Sequence, residues 1–285
     1  MTKNVSTPLE RRRAVARRLA ERLTELPTVT AILVFGSVAT GQVDAASDID
    51  LLVVCEPDVP DPRVRWACIS TLGEGWTLDL ATDDPLFPVL DECRAVGGVP
   101  ATLHYQTSLW IDGVLGEVLT NGAVTTERLP FRPYTLAGLL NRAWIVEDKQ
   151  GVAAAWRRRT DVFSPTLKQN LLTYFVPRLR EHTEELTTGA RRCIGTVGFI
   201  FHLNWAVDAL VGVLYALNGV YDPADKRAER TVWLHFRVVP ENFSKRLAEV
   251  LEGPFDDVTT VQKTEHFRAL VDEVLTKLKR EDVSS

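Results

Sequence analysis

Val15, Leu19, Leu23 and Leu26 recur at helical spacing among arginines and glutamates, which predicts an amphipathic helix over residues 9–26, ended by Pro27. The pattern then changes. TVTAILVF (28–35) is a short β-rich run that stops at Gly36-Ser37, and DLLVV (50–54) follows a polar loop, so both read as buried strands. Residues 62–73 begin with a proline suited to a first helical turn and end in glycine, and 76–82 alternate like a strand. Residues 99–119 fit further strands or a strand and a helix, and periodicity does not choose between them. From about Thr135, leucine and alanine fall at helical spacing over 135–147, 150–159, 165–187, 194–218, 240–251 and 262–279. The stretch LPFRPY (129–134) divides the two patterns. The expectation is an α+β chain: residues 1–130 with a small mixed sheet and helices, then an all-helical domain over 131–285.

Composition narrows the functional classes. The formal charge is −5, with 45% hydrophobic and 25% charged residues, so an ordinary globular protein with no global positive field is expected and nucleic acid is an unlikely partner. The run Arg157 to Arg159 reads as a wet helix face. The apolar run from Ile194 to Val220 is interrupted by His202, Asn204, Asp208 and glycines, which favours a buried helix over a membrane span. Those three polar residues read as satisfied core groups, or as lining for an acceptor pocket. The four cysteines are dispersed and read as reduced thiols, pointing to the cytoplasm, and the five histidines show no zinc spacing.

The chemistry concentrates in FGSVATGQVDAASDIDLLVV, residues 35–54. Strand periodicity puts Asp48 and Asp50 on one face and sends Ile49 and Leu51 into the core. Two adjacent carboxylates repel unless a cation lies between them, and magnesium favours one or two carboxylates with phosphate oxygens and water. Gly36-Ser37 lies where a strand becomes a loop, so backbone N–H groups there can approach a triphosphate, with the Ser37 hydroxyl as a further donor. Ser47 joins them as a nucleotide-binding candidate. Such a site orients phosphates and aligns an acceptor oxygen for in-line attack, which is nucleotidyl transfer.

These residues resemble the signature of the DNA-polymerase-β-like nucleotidyltransferase superfamily: an apolar residue, Gly-Ser, a spacer and Asp-x-Asp. The resemblance implies magnesium, two ions, and ATP or another nucleoside triphosphate as co-substrate. It also implies a third carboxylate on a neighbouring strand, for which Asp79 in Leu78-Asp79-Leu80 is the candidate. The competing strand, Ala101 to Tyr105, offers only Thr102 and His104 where an acid is wanted. One catalytic domain followed by a helical domain is similar to the aminoglycoside and lincosamide nucleotidyltransferases. That likeness implies a small hydroxylated acceptor, an acidic general base near the junction (Glu147 or Asp148), and Lys226 and Arg227 as phosphate or substrate donors. A helical second half also offers faces for a homodimer. An enzyme acting on RNA or protein, and a non-catalytic nucleotide-binding scaffold, are the alternatives.

Overall fold

In the computed structural model, residues 7–81, 86–87, 89–124 and 132–284 are described. The first helix, α1 (Pro8–Leu23), starts at a capping box: Glu10 N–H donates to the Thr7 hydroxyl and Thr7 N–H donates back to the Glu10 carboxylate, with Pro8 opening the turn. Strand β1 (Val29–Val34) and the one-turn α2 (Gly36–Thr40) lead to β2 (Ile49–Cys55). Then come α3 (Pro62–Ile69), β3 (Glu74–Ala81), β4 (Val89–Val96), β5 (Val99–Thr107) and α4 (Ser108–Leu119). The ambiguous stretch 99–119 is thus one strand and one helix. Helix α5 (Pro133–Arg142), strand β6 (Trp144–Asp148) and α6 (Val152–Thr160) follow.

The six strands form one sheet in the order β3-β4-β5-β2-β1-β6, parallel only between β2 and β5. One face carries Ile32, Val34, Ile49, Leu51, Val53, Ala101, Leu103 and Tyr105 into a core closed by Leu19, Leu23 and Ile69 of α1 and α3. Leu19 and Leu23 are fully buried, and burial of such a side chain is worth about 1.5–3 kcal/mol. On the opposite face, Leu33, Leu52 and Val54 are buried as well, where α4 packs on β5 and α6 on β1 and β6.

The helix expected over 135–147 is split. Helical periodicity holds to Arg142, but Trp144–Asp148 joins the sheet edge beside β1, because Ile145 pairs with Leu33 and Trp144 with Val34. Five residues are too few for periodicity to register as a strand. The domain break expected at residue 130 lies outside the described residues. By contact the chain divides into Met1–Val162 with Pro223–Asp225, and Phe163–Asp222 with Lys226–Ser285, so α5, β6 and α6 belong to the first unit.

The second unit is helical: α7 (Pro165–Arg191), α8 (Gly195–Asn218), the short α9 (Ala228–Thr231), α10 (Phe243–Leu251) and α11 (Asp257–Ser284). Helices α7 and α8 are its main pair, with Gly212 admitting the Phe175 ring, where a Cβ would lie 2.6 Å from ring atoms. Helix α8 is long and apolar enough to cross a membrane by length and composition. Phe199, Leu203, Ala206, Leu210 and Val213 are nonetheless buried within the unit, while Val197 and Phe201 are exposed.

Candidate active site

Asp50 stands on β2 and points to the face opposite its buried neighbours Ile49 and Leu51; its side chain is 35% exposed. Asp48 precedes the strand on an exposed turn. That turn is held from below by α1: the buried Arg12 guanidinium donates to the carbonyl of Ser47 at 2.7 Å and of Ala45 at 3.1 Å. The Ser47 hydroxyl donates to the Asp44 carboxylate at 2.9 Å and accepts from Asp44 N–H at 2.9 Å. Ser47 is buried in this turn and braces the loop that presents Asp48, rather than offering its hydroxyl to a nucleotide.

Gly36 opens α2 with φ +61°, and a Cβ there would lie 3.2 Å from Asp50 Oδ2. Glycine is required twice, once by the left-handed backbone and once by the close carboxylate. Phe35 N–H donates to the Asp50 carbonyl at 2.9 Å, which fixes the turn to the strand. Ser37 follows immediately and is half-buried. Gly36, Ser37, Asp48 and Asp50 are therefore gathered at one end of the β1–β2 pair.

The strand flanking β2 on its other side is β5, and its register pairs Asp50 with Thr102 and Leu52 with His104. His104 Nε2 lies 4.0 Å from Asp50 Oδ1, and its ring packs on Phe87 at 4.8 Å between centroids. Its Nδ1 is buried with no hydrogen-bond partner among the described residues. Thr102 pairs in turn with Glu92 of β4, so Asp50, Thr102 and Glu92 form a row across three strands on one face, with Glu92 exposed. Sequence reasoning passed over Glu92. Its alternation with buried Asp91 and Cys93 was a strand signal, but only the hairpin register puts it in line with Asp50.

Asp79 is not brought to this site. It lies on β3, three strands from β2 and hence about 14 Å away at ordinary strand spacing. It has φ +60° at a register shift in β3, and its Oδ1 accepts from Arg65 Nη2 at 2.8 Å. Arg65 is buried and also donates to the fully buried Asp91 at 2.9 and 3.0 Å. Desolvation opposes the guanidinium's charge, but its hydrogen bonds to Asp91 and Asp79 outweigh that and raise its pKa. The same surroundings, burial foremost and then the Asp91 charge, push the Tyr105 phenol well up. Asp79 thus serves a buried ion network.

The two candidates for the general base lie beyond β1 from Asp50, at the sheet's β6 edge. Glu147 sits on β6 rather than on a helix, paired with Ile32 beside a register shift, while its neighbour Val146 packs against the α1 core. The Asp148 carboxylate accepts from the N–H groups of Ala153 and Ala154 and caps α6. Lys226 and Arg227 precede α9 in the second unit, where the Arg227 carbonyl accepts from Arg230 and Thr231 N–H. His202 is not a core polar: its Nδ1 lies 3.4 Å from a Glu185 oxygen that also meets His182 at 3.0 Å, and the His182 hydrogen bond lowers the Glu185 pKa. Asn204 is exposed, and Asp208 half-buried. Among the described residues no three His, Cys, Asp or Glu side chains cluster around one point.

The residues present fit a divalent cation bound with phosphate oxygens: two carboxylates beside a turn where glycine leaves open space against one of them. Residues 16–87 match the model of the nucleotidyltransferase domain. No curated protein sequence matches. Among solved structures, a nucleotidyltransferase-like protein from Exiguobacterium sibiricum is similar at 12% identity and a TM-score of 0.41, covering 93% of this chain and 77% of that one. A STING-associated CdnE c-di-GMP synthase from Capnocytophaga granulosa is similar at 12% identity and a TM-score of 0.31, covering 97% and 82%. The matched span contains the whole Gly-Ser and Asp-x-Asp motif, and over residues 16–87 the chain carries a nucleotidyltransferase domain of the DNA-polymerase-β-like superfamily.

Proposed function

We propose that this nucleotidyltransferase moves a nucleoside monophosphate, AMP from ATP in the first instance, onto a hydroxyl of a small molecule with release of pyrophosphate. The observation that carries the reading is the approach of Gly36 to Asp50, a turn that keeps space against the metal-side carboxylate. Asp48 and Asp50 would hold magnesium, which when bound neutralises phosphate charge and polarises the phosphorus under attack. The Gly36-Ser37 turn offers backbone and hydroxyl donors to the phosphates. Arg12 and Ser47 hold the loop so that Asp48 is presented without reorganisation, which is where positioning contributes to rate. The net charge of −5 favours a small acceptor, with antibiotics among the candidates, over a polyanion.

A second reading is favoured by one observation: β5 offers Thr102 and His104 beside Asp50 and no carboxylate. A site short of an acid would bind a nucleotide without turning it over. Incubation of the full chain with magnesium, each α-labelled ribonucleoside triphosphate and a panel of hydroxylated compounds, aminoglycosides and lincosamides included, separates the two. Labelled product with pyrophosphate, lost in Asp50→Asn, supports transfer. Tight triphosphate binding without product for any acceptor supports the binding module.

A further inference from the structure

We infer that His104 is a direct metal ligand of this site, completing it with a nitrogen donor and giving it a preference for transition-metal dications such as Mn2+ and Co2+ over Mg2+. The inference rests on the functional reading above and sharpens its choice of cation. Three observations carry it. The β2–β5 register sets His104, opposite Leu52, two residues along from the Asp50–Thr102 pair and on the same face, and its Nε2 is the nitrogen that faces Asp50 Oδ1. The 4.0 Å between those atoms is too long for a hydrogen bond, and closing it to about 3 Å lets both atoms take neighbouring positions on one ion at bonds of about 2.1 Å. Third, among the described residues Nε2 makes no hydrogen bond, and the ring is oriented by its packing on Phe87.

The side chain is 17% exposed, so its open nitrogen can be reached by an ion at the site. The tautomer with its proton on Nδ1 turns the Nε2 lone pair toward Asp50, where a cation would accept it, and leaves the Nδ1–H without an acceptor among the described residues; the other tautomer aims an N–H at a carboxylate out of reach. Imidazole is a poor donor to magnesium, which takes oxygen ligands, and a good one to later dications, whose affinities rise from Mn2+ to Co2+. With Asp50 and triphosphate oxygens the donor set is mixed rather than all-oxygen. Mg2+ still enters it, but without help from His104.

The test uses the tag-free full chain with Mn2+ and inorganic tripolyphosphate, which contains no nitrogen. Electron spin-echo envelope modulation of the bound Mn2+ is expected to show 14N coupling from a coordinated imidazole. That coupling should vanish in His104→Gln, with Mn2+ affinity lowered at least about tenfold, since even outer-shell partners cost 10- to 100-fold. His104→Asp should keep binding but lose the coupling and reduce the Mn2+-over-Mg2+ preference in competition, also about tenfold. Mn2+ bound through Asp50, as judged by its loss in Asp50→Asn, but without 14N coupling in the wild type overturns the inference and leaves the nucleotidyltransferase reading standing. In that case a loss of affinity in Glu92→Gln would identify Glu92 as the third donor. Absence of any Asp50-dependent Mn2+ binding overturns both.

Discussion

Replacing Gly36 with alanine tests whether the turn exists to serve Asp50. At φ +61° an alanine pays the left-handed penalty of about 1–2 kcal/mol. In a unit of this size that lowers the melting temperature by about 2–4 °C for each kcal/mol. The added Cβ would also sit 3.2 Å from Asp50 Oδ2, tighter than ordinary contact, so the carboxylate must shift by a few tenths of an ångström. Misplacement approaching 1 Å costs about 100-fold in rate, so a loss of roughly ten- to a hundredfold in kcat/KM is expected. Gly41→Ala is the matched control. Gly41 has φ +78°, but its nearest neighbour to a Cβ is Leu9 Cδ2 at 3.8 Å, so it carries the backbone strain without touching the site. Calorimetry and steady-state pyrophosphate release on both variants should give similar melting shifts and divergent activities. Equal activity in the two would refute the claim that the Gly36–Asp50 approach matters to the chemistry.

Asp79→Asn should leave turnover within about twofold and cost under about 1 kcal/mol by urea unfolding, since its ion pair to Arg65 is half-exposed and Asn tolerates the left-handed backbone; abolished turnover would return Asp79 to the metal site. Asp91→Ala strands the buried Arg65 charge and should destabilise the first unit by about 3–5 kcal/mol in the same assay, with a value under 1 kcal/mol counting against a buried network. Arg12→Ala frees the Ala45–Ser47 carbonyls, and its loss should appear in kcat/KM rather than only in stability; a variant destabilised but fully active would make Arg12 merely structural. Burial pushes the Cys55 thiol up to about 12, so at pH 8 it is protonated and shielded, whereas Cys193 is exposed. Labelling with a maleimide under native conditions followed by mass spectrometry should therefore modify Cys193 first and Cys55 only after unfolding.

The motif was legible because it is local. Gly36, Ser37, Asp48 and Asp50 lie within fifteen consecutive positions whose strand–turn–strand pattern dictates which side chains share a face. The mixed sheet and helical second half were legible too, since long periodic segments report their own type. What escaped depends on pairing between distant segments. Asp79 looked like the next strand's carboxylate in chain order, but the β3–β4–β5 hairpins reverse the order in space and set β5 against β2. His104 and Glu92 acquire meaning only through that register. Glu147 read as helical because a five-residue edge strand is shorter than the periodicity that would reveal it. Ser47 looked like a phosphate donor until Asp44, three residues away, took its hydroxyl.

The central claim is that Asp48 and Asp50 bind a metal–triphosphate complex in the folded domain, and thermal stability tests it without knowledge of the acceptor. Melting of the wild type, Asp48→Asn and Asp50→Asn should be followed with and without magnesium across the four ribonucleoside triphosphates. A ligand present at about a hundred times its dissociation constant adds roughly 2.7 kcal/mol to the folded state, a shift of several degrees. The account predicts such a shift for the wild type with at least one triphosphate, dependent on magnesium and absent in both variants. No shift with any triphosphate, or a shift equally large in Asp50→Asn, would contradict it.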